Sequence, residues 1–305
     1  MVHLITGGAG FIGSHLVEHF QHEGTEVRVL DNLRSGHRHN LDGLRCTFIE
    51  GSITDRDLVR KAMQGVDSVF HLAAMVSVPE SMAKPAECVD INVHGLLNVL
   101  EGAAAAGVRK VVFASSAAVY GDNPVVPKTE SMRPEPKSPY AITKLDGEAY
   151  LEMFRRERDL ESASLRFFNV FGPRQDPQGA YAAAVPIFIG QALRGEDLTI
   201  FGDGGQTRDF IYVKDIVAAM VFAAATPGLT GTYNAGYGDQ LTINDLATGI
   251  IAAAGSSSQI LHRPERPGDV RHSRANIDKL RATGWQPKHS LHEGLAATLE
   301  YFRDR

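Results

Sequence analysis

The length and composition of the chain are those of an ordinary globular protein. Of its 305 residues, 43% are hydrophobic and 22% are charged, which suits one large α/β unit or two interleaved domains with a substantial core. The formal net charge is -5 at pH 7, so the chain has no excess of basic residues to replace the counterions of nucleic-acid phosphates. We therefore expect no nucleic-acid partner.

The cysteine content and the N-terminal sequence bear on the cellular compartment. Cys46 and Cys88 are the only cysteines and have no C-x-x-C spacing, so we expect two unpaired thiols rather than a disulfide or a metal site. The sequence after Met1 is VHLITGG, without a basic leader, and apolar runs such as 216–225 are too short to span a bilayer. These features predict a cytoplasmic protein without a membrane partner.

The first stretch with recognisable chemistry is TGGAGFIG at residues 6–13. The apolar run Val2–Ile5 before it predicts a buried parallel strand, and an amphipathic helix is predicted after it, through Phe20. Glycines between a strand and a helix N-terminus let a pyrophosphate approach the backbone N–H groups, which a side chain would prevent. The spacing fits both G-x-G-x-x-G and G-x-x-G-x-x-G. The predicted cofactor contacts in this loop are Gly7, Gly10, Phe11, Ile12 and Gly13.

The second predicted strand, Glu26–Leu30, ends at Asp31 and Asn32. These residues lie about twenty positions beyond the glycines, where a carboxylate binds the adenosine ribose hydroxyls of a dinucleotide. A carboxylate there repels a 2′-phosphate, so Asp31 favours NAD over NADP, although Arg34 lies close enough in sequence to weaken the inference. The alternative interpretation of Asp31 is a polar strand end that only opens a loop.

The alternation of strands and helices continues along the chain. Strands are predicted at 46–50, 68–72, 110–114 and 164–168, and helices at 55–63 and 85–106. In a doubly wound sheet, ligands bind at the carboxyl ends of the strands. The residues expected to line the cofactor there are Ser52, Ile53, Ala73 and Ala74. His71, at the end of the fourth strand, is expected to be a satisfied core histidine rather than a catalytic one.

The sequence SPYAITK at 138–144 brings a phenol and an amine together. With Pro139 opening a helix, Tyr140 and Lys144 are spaced i and i+4 and lie on one helix face. A tyrosine titrates at about 10 and needs a nearby positive charge to act as a base at neutral pH, which Lys144 is placed to supply. Alone, such a pair is more often an aromatic ring packed beside a solvated amine. Ser116, at the end of the fifth strand, adds a hydroxyl at the sheet edge where the nicotinamide is expected.

Together these elements predict an α/β fold, with a doubly wound parallel sheet of the Rossmann type and a smaller, interleaved C-terminal α/β substrate domain. We assign residues 1–171 to an NAD-binding domain, with 208–236 returning to it. The substrate domain then comprises 172–207 and 237–305. No tandem repeat or linker interrupts the chain.

Several further motifs accompany those described above. They are VYG at 119–121, LRFFNVFGPRQDP at 165–177, RDFIYVKD at 208–215 and RPGD at 266–269. With TGGAGFIG and SPYxxxK, these motifs make the whole chain resemble the extended short-chain dehydrogenase/reductase family, and within it the UDP-hexose 4-epimerases of the UDP-N-acetylglucosamine and UDP-glucose type. The resemblance implies that Tyr140 is the general base and that Ser116 hydrogen-bonds the sugar 4′-OH. It also implies that Lys144 binds the nicotinamide ribose and lowers the pKa of the tyrosine.

The C-terminal third supplies side chains suited to a sugar diphosphate. Arg208 follows the glycine-rich turn 202–205, and Arg266 lies in the RPGD motif. A guanidinium binds two phosphate oxygens at once, although a solvated surface arginine is the alternative at each position. By resemblance, Arg208 and Arg266 bind the UDP phosphates. The resemblance likewise assigns Asp269 to the uridine-side ribose and Asn169 to the diphosphate.

Departures within the family narrow the expected reaction. Ala117 and Ala118 stand where sugar dehydratases carry an acidic pair, and Ala118 also stands where decarboxylating relatives usually have a glutamate. Ser273 occupies the place of a bulky tyrosine in epimerases restricted to UDP-glucose and UDP-galactose, and so leaves room for an N-acetyl group. Gln175 and Ala183 match the subgroup that handles N-acetylhexosamines.

Three hypotheses follow from the sequence. The first is a UDP-hexose 4-epimerase that uses NAD and accepts UDP-GlcNAc and UDP-GalNAc, with UDP-glucose and UDP-galactose as further candidates. The second is a UDP-glucuronate epimerase or decarboxylase, or another NAD-dependent nucleotide-sugar oxidoreductase. The third is a catalytically silent NAD-binding scaffold. The resemblance also implies a homodimer formed through the helices at 85–106 and 140–156.

Overall fold

The structure is a computed structural model that describes residues 1–177, 183–265 and 270–304. The chain divides into two compact units, each assembled from separate segments. The first unit comprises Met1–Val119, Pro134–Phe167 and Val217–Tyr233, and the second Tyr120–Arg133, Phe168–Ile216 and Asn234–Arg305. The assignment of one unit to NAD and the other to a UDP-sugar stays a prediction.

The strands alternate with helices along the chain, as the sequence predicts. The strands are β1 (Val2–Thr6), β2 (Glu26–Asp31), β3 (Thr47–Glu50), β4 (Ser68–His71), β5 (Lys110–Ser116), β6 (Glu161–Phe167), β7 (Asn169–Phe171), β8 (Leu198–Phe201), β9 (Thr207–Arg208), β10 (Phe210–Tyr212), β11 (Gly231–Ala235), β12 (Leu241–Thr242) and β13 (Ile260–Arg263).

The helices of the described chain range from one turn to five turns. They are α1 (Phe11–His22), α2 (Arg56–Ala62), α3 (Val78–Ala83), α4 (Pro85–Val89), α5 (Gly95–Ala106), α6 (Pro139–Arg158), α7 (Ala184–Leu193), α8 (Val213–Ala225), α9 (Ile243–Ala254), α10 (Asp278–Arg281) and α11 (Leu291–Arg303). Short 3₁₀ turns occur at Arg38–Leu41 and Ala117–Tyr120, and a π-helical turn at Asp90–His94.

A seven-stranded sheet forms the centre of the first unit. Its strands follow the order β11-β6-β5-β4-β1-β2-β3, and the neighbouring pairs from β6 through to β3 are parallel. The chain therefore winds outward from β1 in both directions, which places the carboxyl ends of the strands at one edge. The predicted doubly wound parallel sheet is confirmed.

The core of the first unit is packed between this sheet and its helices. Strands β4 and β5 are buried along nearly their whole length, as the continuous apolar runs predict for parallel strands covered on both faces. Leu96, Leu100 and Val111 are among the fully buried members of the cluster that joins α5 to the sheet. This packing fixes the strand ends that carry the site.

Local sequence explains where the helices at the site begin. The Ser138 hydroxyl accepts a hydrogen bond from the Ala141 N–H, and Pro139 occupies the first turn of α6, as expected of a serine cap followed by proline. By contrast, α1 begins after Gly10 without a side-chain cap. Its first N–H groups therefore donate no hydrogen bond to a capping side chain.

Two elements differ from their predicted form. The helix predicted at 85–106 is interrupted by the π-helical turn Asp90–His94 between α4 and α5. The strand predicted at 164–168 begins three residues earlier, at Glu161, and ends at Phe167, after which Asn169 starts the separate strand β7. Hydrophobic periodicity does not detect a single inserted residue in a helix or a break between two adjacent strands.

The second unit contains three small two-stranded sheets. β7 pairs with β10 and β8 with β13 in parallel, whereas β9 pairs with β12 antiparallel. The buried carboxylate of Asp209 accepts backbone hydrogen bonds from Tyr237, Gly238 and Ala275. It thereby joins three segments that are distant in sequence. Over the described residues, no helix is both long and apolar enough to cross a membrane.

Candidate active site

The glycine loop lies between β1 and α1, as predicted, and three of its glycines are required by the protein's own packing. Gly7 has a φ of +73°, and a Cβ there would lie 2.7 Å from the Ala73 nitrogen. A Cβ on Gly13 would lie 2.3 Å from the Gly7 oxygen, and one on Gly8 would meet the side chain of Val29. These glycines let α1 and the loop after β4 approach the turn closely.

Gly10 is the loop glycine with the fewest protein neighbours. A Cβ there would meet only the Gly7 oxygen, at 3.1 Å. Gly10 also immediately precedes α1, whose first turn carries no acidic residue. The uncapped N–H groups at the start of α1 and the absence of a side chain at Gly10 fit the pyrophosphate of a dinucleotide. Phe11 and Ile12, the first residues of α1, are partly exposed beside it.

Asp31 ends β2 next to the glycine loop and is 7% exposed. Its two carboxylate oxygens accept hydrogen bonds from the Ala9 N–H at 2.9 Å and the Leu33 N–H at 2.8 Å. Burial raises the pKa of Asp31, and these two N–H groups oppose the shift. The carboxylate therefore orders the glycine loop, and each of its oxygens keeps a second lone pair for a ribose hydroxyl.

Arg34 is held by two carboxylates. Its guanidinium donates to Glu80 of α3 at 2.8 Å and to Glu87 of α4, and the pKa of Glu87 is lowered by this contact. Lys84 lies 3.5 Å from Glu87 as well. Arg34, which weakened the inference that the chain prefers NAD to NADP, is thus neutralised by Glu80 and Glu87. The sequence alone did not link these residues to Arg34.

The remaining predicted cofactor residues lie at the same edge of the sheet. Ser52 and Ile53 follow β3, where the Gly51 N–H donates to the Asp31 carbonyl at 3.0 Å. Ala73 follows β4, and its N–H donates to Thr6 Oγ1 at 3.3 Å. Ala74, directly after Ala73, is partly exposed, and Asn32, directly after Asp31, is exposed. The structure brings these loops together around the glycine turn, whereas their contacts with a cofactor stay predictions.

Ser116, Tyr140 and Lys144 come together where β5 meets α6. The Ser116 side chain lies close enough to the Tyr140 phenol to lower the pKa of that phenol. The ammonium group of Lys144, which is 4% exposed, donates to the Ala114 carbonyl at 2.7 Å and lies 5.7 Å from the centre of the Tyr140 ring. A hydroxyl, a phenol and an amine therefore share one end of β5, as the sequence predicts.

Burial and Ser116 have opposite effects on the Tyr140 phenol, and the expectation that Lys144 lowers its pKa stays a prediction. Burial raises the pKa of Tyr140, and the interaction with Ser116 is the effect that opposes it. Burial also lowers the pKa of Lys144 to about 8. The ammonium group is directed at the Ala114 carbonyl, so its charge stabilises the backbone oxygen more than the phenolate.

His71 is the core histidine that the sequence predicts. It is 1% exposed, its Nδ1 lies 2.8 Å from Thr6 Oγ1, and its ring stacks on Phe113. Burial, together with the charge of Lys144, lowers its pKa to about 3. His71 is therefore neutral at physiological pH and is unsuited to act as an acid there.

Two groups of buried polar residues near this site were not identified from the sequence as site residues. The Asn92 amide, on the π-helical turn, accepts from the Met75 N–H at 2.7 Å and donates to Thr143 Oγ1 at 3.0 Å. Glu148 of α6 pairs with Arg166 of β6. An arginine inside the apolar strand LRF, and a glutamate four residues after Lys144, were the available sequence signals.

In the second unit, the backbone brings three predicted substrate residues to neighbouring strands. The Asn169 N–H and side-chain amide donate to the Asp209 carbonyl at 3.0 and 3.2 Å, and the Ser273 N–H donates to the Thr207 carbonyl at 3.1 Å. Arg208 lies between Thr207 and Asp209, and its guanidinium donates to the Thr207 carbonyl. Burial raises the pKa of Asp209, which anchors this strand, to about 6.

The structure gives less information about the surroundings of the other predicted substrate residues. The Gln175 amide donates to the Val170 carbonyl at 3.1 Å, and Ala183 is exposed just before α7. Arg266 and Asp269 lie outside the described residues. The substrate contacts of all these residues therefore stay predictions. Within 1–177, 183–265 and 270–304, no cluster of His, Cys, Asp and Glu is suited to hold a metal ion.

Comparison with known proteins identifies relatives over nearly the whole chain. Residues 3–236 match the model of the NAD dependent epimerase/dehydratase family. A UDP-glucose 4-epimerase of Mycolicibacterium smegmatis is 41% identical over 309 residues, which cover 99% of this chain and 98% of the relative. A UDP-N-acetyl-alpha-D-glucosaminuronate decarboxylase of Bacillus cytotoxicus is 35% identical and covers 99% of this chain and 97% of the relative.

Solved structures include both types of epimerase. The UDP-glucose 4-epimerase of Thermotoga maritima with UDP-glucose has a TM-score of 0.94 and 42% identity, covering 100% of this chain and 99% of that one. The UDP-N-acetylglucosamine 4-epimerase of Methanobrevibacter ruminantium, in complex with UDP-N-acetylmuramic acid, has a TM-score of 0.95 and 40% identity, covering 99% and 98%.

The pairing of Arg34 generates a prediction about cofactor choice. Replacing both partners, Glu80→Gln with Glu87→Gln, leaves the guanidinium without an opposing charge three residues after Asp31. We expect the affinity for NADP relative to NAD to rise roughly tenfold, since a charge-assisted contact with a 2′-phosphate contributes about 1.4 kcal/mol or more. Dissociation constants for both nucleotides, measured by calorimetry, test this expectation.

The matched control for this prediction is Glu152→Gln. Glu152 is likewise paired with two arginines, Arg155 and Arg156, but these residues lie in the C-terminal half of α6. This variant should leave the ratio of the two dissociation constants unchanged. An unchanged ratio in the Glu80/Glu87 double variant as well would mean that Arg34 has no part in the choice.

Proposed function

The chain belongs to the NAD dependent epimerase/dehydratase family, and on this premise we propose that it interconverts UDP-hexoses by inversion at C4. The resemblance seen in the sequence motifs is thereby confirmed, together with the dependence on NAD. The proposal assigns catalysis to Ser116, Tyr140 and Lys144, and substrate binding to the residues of the second unit.

The observation that carries the proposal is the convergence of Ser116, Tyr140 and Lys144 at the end of β5, with the Lys144 ammonium group 5.7 Å from the centre of the Tyr140 ring and the Ser116 side chain lowering the pKa of the phenol. A general base must lie within hydrogen-bond reach of the proton it removes. A phenol and a serine hydroxyl at the same strand end can both hydrogen-bond one sugar hydroxyl. A silent scaffold has no need of this arrangement, and the third hypothesis is therefore disfavoured.

When bound, NAD supplies reversible acceptance of a hydride from C4′ of the sugar. Tyr140 removes the proton of the 4′-OH as the C4′ carbon is oxidised, and Ser116 hydrogen-bonds the same hydroxyl group. Tyr140 returns the proton when the ketone is reduced on its opposite face. Burial raises the pKa of Tyr140, and the interaction with Ser116 opposes that shift. Lys144, fixed on the Ala114 carbonyl, orients the helix turn that carries the phenol.

The competing reaction is decarboxylation of a UDP-hexuronate. It has a specific basis in the 35% identity with a UDP-sugar decarboxylase. Ala117 and Ala118 form a 3₁₀ turn directly after Ser116, so neither of these positions carries a carboxylate near the sugar. Alanine at both positions favours epimerisation over decarboxylation and over dehydration.

We further propose that the substrates include UDP-GlcNAc and UDP-GalNAc. Ser273 is partly exposed and is tied through its backbone to Thr207, next to Arg208. A small side chain in this position leaves space for an N-acetyl group beside the residue assigned to the phosphates. UDP-glucose and UDP-galactose fit the same space without filling it.

A homodimer is proposed as the assembled state. Large exposed apolar side chains concentrate on the α3, α4 and α6 region of the first unit, where these helices pack against one another. They are Val76, Val78, Met82, Val89, Ile142 and Met153. Clustered exposed aliphatic and methionine side chains are typical of a protein interface, and a second copy of the chain matches the family expectation.

The first test is an NMR time course of the purified protein with UDP-GlcNAc, without added NAD, in the wild type and in Tyr140→Phe. We expect the C4 epimer in the wild type and a loss of at least about 100-fold in Tyr140→Phe, since general base catalysis contributes on that order. Retained NAD, measured after denaturation, should be equal in both proteins.

Tyr150→Phe is the matched control, because Tyr150 lies on the same helix and packs against the core. It should epimerise at the wild-type rate. Turnover that survives in Tyr140→Phe would exclude Tyr140 as the base. Release of carbon dioxide from UDP-glucuronate, with no epimer formed from any UDP-hexose, would favour the decarboxylase instead.

The substrate range is tested by Ser273→Tyr. The larger ring should exclude the N-acetyl group, so we expect the kcat/KM for UDP-GlcNAc to fall at least roughly tenfold more than that for UDP-glucose, an energy difference of about 1.4 kcal/mol. Ser273→Ala is the control and should alter neither value by more than about twofold. Equal losses for the two sugars in Ser273→Tyr would refute this assignment of Ser273.

The assembled state is tested by light scattering after size exclusion. We expect the wild type to have twice the mass of the chain and Met82→Asp with Met153→Asp to shift it towards the monomer, since two buried charges oppose association. Leu261→Asp, at an exposed apolar position of β13, should stay a dimer. A monomeric wild type would contradict the proposal.

A further inference from the structure

A buried charged pair lies directly beside the candidate catalytic residues. Glu148 of α6 and Arg166 of β6 are 8% and 4% exposed. Arg166 donates to Glu148 through Nε at 2.8 Å and through Nη2 at 2.7 Å, and the hydroxyl of Ser115 donates to the same carboxylate. The carboxylate therefore joins one helix to two neighbouring strands, because Ser115 and Arg166 are register partners in β5 and β6.

The pair continues the line of contacts that assembles the site. Three consecutive residues of β5 each contact one residue of α6: Ala114 binds Lys144, Ser115 binds Glu148 and Ser116 binds Tyr140. Tyr140, Lys144 and Glu148 are spaced four residues apart and share a helix face. Of these three residues, Glu148 is held by both strands. Its carboxylate accepts charge-assisted hydrogen bonds from β5 and β6, and such bonds are short and directional.

The same two strands contain a second ion pair that serves as an internal comparison. At the opposite end of β5 and β6, the ammonium group of Lys110 lies 3.3 Å from Glu161 and donates to the Thr226 carbonyl. Lys110 and Glu161 are also register partners. The pair Lys110–Glu161 thus lies at the amino end of these strands, away from the site. The pair Glu148–Arg166, between α6 and β6, lies at their carboxyl end, where the site lies.

We propose that Glu148, with Ser115 and Arg166, is a positioning residue that sets the Tyr140 phenol against the Ser116 hydroxyl. The inference rests on the proposed function, since it concerns the base of that reaction. Rotation or sliding of α6 on β5 changes the distance between the two oxygens, and the fork between Arg166 and Glu148 opposes both movements. The reacting groups are held by this pair, which does not touch the sugar.

The first experiment compares two buried serines that bond to the same helix. Ser115→Ala removes the hydroxyl bound to Glu148, whereas Ser162→Ala removes a hydroxyl that donates to the Leu151 carbonyl of α6 at 3.2 Å. We expect kcat to fall roughly tenfold in Ser115→Ala with KM within about twofold, because small misplacements of reacting groups act on the chemical step. Ser162→Ala should keep kcat within about twofold of the wild type.

The second experiment compares the two ion pairs. Glu148→Gln should lower kcat further than Ser115→Ala, again with little change in KM, while Glu161→Gln should affect only the melting temperature. Equal effects of Glu148→Gln and Glu161→Gln on kcat, at matched fractions of folded protein, would overturn the proposal. So would a loss in Ser115→Ala that appears wholly in KM.

The outcomes separate this inference from the proposed function. If the wild-type protein epimerises no UDP-hexose, the proposed function fails. If the wild type is active and the Ser115 and Ser162 variants have the same kcat, the function stands and the positioning role is refuted.

Discussion

The docking of α6 on β5 is the constraint on which the rest of the candidate site depends. Tyr140 and Lys144 lie on the helix, whereas Ser116 and the Ala114 carbonyl lie on the strand. The Lys144 ammonium group is buried, and an unpaired buried charge is costly, so its bond to the Ala114 carbonyl fixes the axial position of the helix. A buried fork between Glu148 and Arg166 fixes the same helix one turn later. Small changes in either contact would therefore act directly on the geometry of the phenol.

Two opposing effects decide the protonation state of the Tyr140 phenol. A nearby ammonium group favours the phenolate, while burial favours the neutral phenol. At Tyr140, burial prevails, and the opposing contribution comes from Ser116. The reason is directional, since the Lys144 ammonium group points at a backbone carbonyl rather than at the phenol oxygen. Besides its proposed contact with the substrate, Ser116 therefore lowers the pKa of the proposed base.

The sequence was sufficient for the parts of the protein that depend on local pattern. Apolar runs, the glycine spacing and the Ser138–Pro139 helix start predicted the parallel sheet, the cofactor loop and the start of α6, and the family resemblance was confirmed. It was insufficient where the outcome depends on which side chains meet across the fold. The pairing of Glu148 with Arg166 joins residues 18 positions apart on different elements, and no periodicity reveals such a partner. The π-helical turn that carries Asn92 was missed for a different reason, because one inserted residue barely alters the helical pattern.

Arg34 shows how proximity in sequence differs from availability in the fold. From sequence position alone, the Arg34 guanidinium is close enough to Asp31 to attract a 2′-phosphate that the Asp31 carboxylate repels. In the structure, Glu80 and Glu87 accept its hydrogen bonds, so a 2′-phosphate would have to displace two existing charge partners to bind there. Asp31 is meanwhile fixed by two backbone N–H groups of its own neighbourhood. We therefore propose that a preference for NAD over NADP rests on two arrangements acting together: the Asp31 carboxylate held in place where a ribose is expected, and the Arg34 guanidinium held by two carboxylates.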